Sequence, residues 1–189
     1  MAYTLNPAEA GGRGRLHTRS RSAPLHLPGG LVPLGLGAVI LGAWGGIVPF
    51  VGPLFNYSSN GAPAWQWSTM HSLLYLVPGA VAMVAGVLIL AQARAVSHPG
   101  AARGSVALAG LVLVACGAWF VIGPVAWPAL GRTTLVFGTA GSATDNFLNQ
   151  IGYNLGVGVL LATLGGMALK ALAAEREVLP AAPAGPPQL

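Results

Sequence analysis

The sequence predicts an all-α membrane protein: four transmembrane helices forming two two-helix repeats of parallel topology. Three observations carry this. Hydrophobic residues make up 54% of the 189 positions and charged residues only 7%, whereas soluble domains usually carry about 25% charged residues. No charged residue occurs between Arg21 and Arg94; water would solvate such a surface poorly, whereas lipid needs no polar exterior. Finally, the stretch GAWGGIVPFVGP, from Gly42, shares its punctuation with GAWFVIGPVAWP, from Gly117.

Residues 1–30 are polar, arginine-bearing and rich in Gly and Pro, the composition of a disordered tail. The first apolar run, about Leu31 to Pro53, is too long for a signal peptide and has no clean small-residue cleavage site after it, so it is expected to be a retained first span. The second run is about Met70 to Ala91, the third about Ser105 to Trp127 and the fourth about Phe147 to Leu172. Each is long enough to cross a hydrocarbon core of about 30 Å at roughly 1.5 Å per residue. Their internal Gly and Pro are tolerated in membrane helices. Residues 173–189, ending VLPAAPAGPPQL, read as a second disordered tail. The expected organisation is therefore a tail at 1–30, a first two-helix unit at 31–103, a second at 104–172 and a tail at 173–189.

Flanking basic residues set the expected orientation. Arg13, Arg15, Arg19, Arg21, Arg94, Arg103, Lys170 and Arg176 fall on one side, and Arg132 alone on the other. The positive-inside bias predicts a multi-pass protein of the cell membrane with both termini cytoplasmic. The net charge of +5 does not point to nucleic acid, because the N-terminal arginines sit before a span, where they orient the chain and meet anionic headgroups. The opposite side carries Phe55, Tyr57, Trp65 and Trp67 in its first loop, residues suited to the headgroup interface.

An offset of 75 residues sets Gly42, Trp44, Pro49 and Pro53 on Gly117, Trp119, Pro124 and Pro128. An offset of 78 sets Tyr75 on Tyr153, Val81 on Val159 and His71 on Asn149 in the helices that follow. This pattern is that of a two-helix unit used twice. Two spans per unit return each copy to the same side, so the repeats are expected to be parallel and related by an axis along the membrane normal. At about 100° per residue, Gly35, Gly42, Gly46, Pro49 and Pro53 lie within about 60° of one another. Gly110, Gly117, Pro124 and Pro128 form the matching face. Small faces let membrane helices approach closely, so these are the expected packing faces. Trp44 and Trp119 lie about 200° away and are expected to face outward, toward lipid or another subunit.

A tryptophan two residues after glycine, a proline five residues later and a second helix behind it resemble the SPW repeat family of small bacterial membrane proteins. The resemblance covers both units. Val48-Pro49-Phe50 and Gly123-Pro124-Val125 stand where that family has Ser-Pro-Trp. It implies a four-helix protein of a bacterial inner membrane and brings no active-site residues with it.

No span carries a charged residue in its interior, which weighs against proton or ion coupling. Cys116 is the only cysteine, and His71 the only histidine near the membrane; no cofactor or metal is expected. One polar constellation remains. Asn146, Asn149, Gln150, Tyr153 and Asn154 begin the fourth run, and His71 and Tyr75 share a face of the second. They are candidates for lining an outward-facing polar pocket or for joining helices. The expected function is that of a non-enzymatic membrane subunit or scaffold, working with a membrane-protein partner or a second copy. The alternative is a binder or conduit for a small neutral or lipidic ligand.

Overall fold

A computed structural model describes residues 30–55, 57, 63–94, 99–131 and 143–178. Most of both expected tails lies outside them, as does Arg132 of the orientation argument. The elements are α1 (Leu31–Val51), α2 (Val77–Arg94), α3 (Pro99–Ala126), α4 (Ala143–Gln150) and α5 (Gly156–Val178). A π-helical turn, His71–Leu76, leads into α2, and a second, Ile151–Leu155, joins α4 to α5. Among the described residues there is no strand. Four segments are long and apolar enough to cross a membrane: Leu31–Phe55, His71–Ala93, Ala102–Ala126 and Phe147–Ala174.

The helices begin and end for local reasons. Pro49 and Pro124 lie within the last turn or so of α1 and α3, and each chain then tightens into a 3₁₀ turn, Gly52–Phe55 and Pro128–Leu130. Gly131, at φ 74°, ends the second of these turns in the left-handed region that glycine adopts without strain. α3 starts at Pro99, ahead of the expected unit boundary at 104; a proline is pre-organised for a first helical position. α5 continues to Val178, past the expected tail boundary at 173, because Ala, Leu, Glu and Arg in this stretch are all good helix formers.

Packing follows the small-residue faces. α1 lies along α2 and α3 along α5 in the two most extensive helix contacts, and α2–α3 and α1–α5 contacts close the bundle. A Cβ added to Gly42 would sit 2.7 Å from the Gly79 carbonyl oxygen, and one added to Gly35 would sit 2.9 Å from that of Gly86. In the other pair, a Cβ on Gly117 would sit 2.5 Å from the Gly158 oxygen and one on Gly110 3.1 Å from that of Gly165. Backbone meets backbone at these points, the arrangement by which membrane helices associate without a hydrophobic drive.

The same contacts correct the register read from the sequence. Gly79 and Gly158 are equivalent in their pairing, as are Gly86 and Gly165, so the second helices correspond at an offset of 79 residues rather than 78. Tyr75 then corresponds to Asn154 and His71 to Gln150. The backbone contacts thus run at 79 residues where the tyrosine match runs at 78.

Phe120, Leu74, Tyr75 and Tyr153 fill the centre of the bundle. Outside it, Leu36, Ile40, Val84, Leu108, Val125 and Val159 are all exposed. An apolar exterior around an apolar core is what lipid as solvent allows.

Candidate functional site

The two π turns organise the end of the bundle nearest the loops. In a π turn, an N–H pairs with the carbonyl five residues back instead of four. Val77 N–H pairs with Ser72 and Gly156 N–H with Ile151. A return to ordinary spacing after these bonds would pass over the carbonyls of Leu73 and Gly152, and Pro78 has no N–H to offer at either spacing.

Tryptophans from the opposite half of the molecule reach these two carbonyls. Trp44 Nε1 donates to Gly152 O at 3.0 Å, and Trp119 Nε1 donates to Leu73 O at 3.1 Å. The bonds are reciprocal: Trp44 and Trp119 differ by 75 residues, and Leu73 and Gly152 by 79. This modifies the outward-facing expectation for the indoles. Their edges are exposed, at 40% and 37%, but the polar ends turn inward and tie one helix pair to the other. The sequence signal for the first free carbonyl was Pro78, five residues after Leu73; the second has no comparable marker.

Four of the seven candidate polar residues converge. His71, Tyr75, Tyr153 and Asn154 are all buried, at no more than 4% exposure. Asn149 is half-buried and Gln150 exposed; the side chain of Asn146 lies outside the described part. The His71 ring pairs through Nδ1 with Gln66 O at 2.8 Å, and its backbone N–H donates to Ser68 Oγ at 3.0 Å. Phe50 meets the His71 ring edge-on at 5.6 Å, and Trp67 lies against Phe50 at 4.9 Å. Tyr75 continues this aromatic series to Tyr153, 6.1 Å away.

Tyr153 Oη donates to Tyr57 O and lies 3.4 Å from Val48 O. Tyr57 stacks on the Tyr153 ring at 4.9 Å and donates from its own hydroxyl to Leu148 O at 3.0 Å. Burial pushes the Tyr57 phenol above its ordinary pKa, so it stays a neutral donor. The loop between the first two spans is thereby fastened to the fourth. Its backbone is tied to α1 as well, through Tyr57 N–H to Gly52 O and Trp65 N–H to Phe50 O, both 2.9 Å. In contrast, the Tyr75 hydroxyl and both amide atoms of Asn154 make no hydrogen bond of full geometry, and the nearest polar group to each is the other. These two residues correspond at the 79-residue offset and face one another.

The arrangement provides neutral donors, acceptors and stacked rings. Among the described residues, no group of three His, Cys, Asp or Glu side chains is gathered where it would hold a metal ion. Comparison of the chain with protein-family models, with curated proteins and with solved structures finds no match.

Proposed function

We propose that this chain is a small non-enzymatic membrane subunit or scaffold, similar to SPW repeat proteins of bacterial inner membranes and built from two parallel two-helix repeats. In this reading both termini are cytoplasmic, and the partner is a membrane protein or a second copy. The observation that carries the proposal is the reciprocal pair of indole bonds, Trp44 to Gly152 and Trp119 to Leu73. Polar groups suited to grip a ligand are engaged with the chain's own carbonyls, and so are Tyr57 and Tyr153. Interhelical hydrogen bonds of this kind are worth about 0.6 kcal/mol on average, so several of them together serve to hold one arrangement of helices. The apolar edges of the tryptophans remain exposed, with Ile47 and Ile122, one turn along, exposed beside them at 46% and 59%. These paired stripes, 75 residues apart, are the surface assigned to the partner.

A specific observation favours the second reading. The Tyr75 hydroxyl and the Asn154 amide are buried beside one another without a hydrogen bond of full geometry, and a polar group left short of partners in hydrocarbon is costly. A small neutral guest bonded to both would relieve that cost.

Purification in mild detergent with mass analysis separates the readings. The assembly reading expects a stoichiometric protein partner or second copy that survives Tyr75→Phe with Tyr153→Phe and is lost after Ile47→Ala with Ile122→Ala. A partner indifferent to the isoleucine changes, together with a small molecule lost from the tyrosine variant, would reverse the choice. Topology is tested by an impermeant thiol reagent in intact cells in a Cys116→Ser background. Ser58→Cys and Ser142→Cys are expected to react and Ser97→Cys to be protected.

A further inference from the structure

On the lipid-facing side of the bundle, between α2 and α3, lies a cleft of about 460 Å³. Pro78, Cys116 and Trp127 are buried at its floor, and Val77, Val81 and Trp119 stand exposed along its walls. Its lining is almost wholly apolar, and the Nε1 of Trp119 is committed to Leu73 O.

We propose that this cleft binds one acyl chain of a phospholipid from the leaflet on the loop side of the bundle. Two features identify the occupant. The first is depth. Along α2 the cleft extends from Leu73 to Val81, about 12 Å at 1.5 Å per residue. Along α3 it extends from Ala115 to Trp127, about 18 Å on the same basis. These lengths bracket the half-thickness of a bilayer core, about 15 Å, and the cleft starts at the membrane end where the loops lie. The second is shape. A helix with its side chains is about 10–12 Å across, too thick for a slot of this volume, so a transmembrane segment of a partner does not enter. The cleft shares the Trp119 edge with the stripe assigned to a partner but includes neither Ile47 nor Ile122, so those two isoleucines separate the two readings.

The test is photolabelling of the full chain in phosphatidylcholine vesicles containing a phosphatidylcholine with a diazirine in its acyl chain, followed by mapping of the labelled residues. Val84 and Leu108, exposed but outside the cleft, report ordinary lipid contact. The expected result is severalfold greater labelling at Val77, Ala115 and Trp119 than at Val84 and Leu108, reduced to the level of those two by Ala115→Phe. Val81→Phe fills the cleft from the opposite wall and is used if the first variant fails to fold, as judged by its melting in detergent. Uniform labelling of cleft and control residues would overturn the proposal, and so would cleft labelling unchanged by a folded filling variant.

Discussion

Replacing Gly42 by alanine adds a single methyl group, and the structure specifies what it meets. The new Cβ would lie 2.7 Å from Gly79 O and 2.8 Å from Met83 N. Both are backbone atoms of α2, so no side chain can turn aside. Reaching ordinary contact requires α1 and α2 to part by roughly 0.7 Å, and a gap of that order forfeits about a quarter to a half of the dispersion energy across the seam. Overpacking typically costs about 1–3 kcal/mol. Alanine also gains helix propensity over glycine, by about 0.8–1.0 kcal/mol, which would partly mask the loss. Gly166→Ala supplies the reference: it lies inside α5, and nothing lies within 4 Å of its would-be Cβ. Both changes gain the propensity term, so their difference isolates the clash, and Gly42→Ala is expected to be the less stable by about 1–3 kcal/mol. Gly117→Ala, facing Gly158 O at 2.5 Å, is expected to behave like Gly42→Ala. The measurement is unfolding by rising dodecyl sulfate in mixed micelles, followed by circular dichroism. If Gly42→Ala proves as stable as Gly166→Ala, the glycine face is not where these helices meet.

Two further expectations concern hydrogen bonds. Trp119→Phe is expected to cost about 0.6–1.7 kcal/mol, and to cost less in a Pro78→Ala background, where a backbone N–H becomes available to the ladder near Leu73 O. A double-mutant cycle in the same micelles gives the coupling, and equal costs in both backgrounds would contradict the account of the free carbonyl. Tyr153→Phe is expected to cost about 1 kcal/mol by leaving Tyr57 O without its donor, whereas Tyr75→Phe, which removes a hydroxyl that makes no bond of full geometry and faces only the Asn154 amide, is expected to cost less. Matched losses in the two variants would show that the Tyr75 hydroxyl is fully bonded, either to Asn154 or to a guest of the kind the second functional reading requires, and Asn154→Leu in the Tyr75→Phe background separates the two.

Much of this architecture was legible in the chain itself, because lipid imposes few rules and applies them to whole segments. A charge-free run from Arg21 to Arg94 and four apolar stretches of spanning length leave little but a helical membrane bundle. The periodicity of Gly35, Gly42 and Gly46 marks a packing face, since only a side chain of almost no size admits a second backbone. What the sequence could not provide was the partner of each face and the exact register between helices. The 78-residue match of Tyr75 with Tyr153 was a plausible alignment of side chains. The backbone approaches at Gly79 and Gly158 set the offset at 79, because contact energy depends on which atoms meet and not on which letters agree.

The tryptophans show the same division. Their angle from the glycines pointed them outward, yet each indole N–H reaches a carbonyl of another helix. Helical geometry alone says nothing of a neighbour arriving from another helix with a carbonyl to spare. That acceptor exists because π turns at His71–Leu76 and Ile151–Leu155 change the hydrogen-bond spacing, and a one-residue change in spacing leaves no trace in composition or hydropathy. The sequence by itself thus determined the solvent, the spans and the small-residue faces, each a sum or a period over many residues. The tertiary structure alone decided the crossed indole bonds, the burial of Tyr75 with Asn154 and the cleft beside Trp119, each of which depends on where a few atoms of distant segments come to rest.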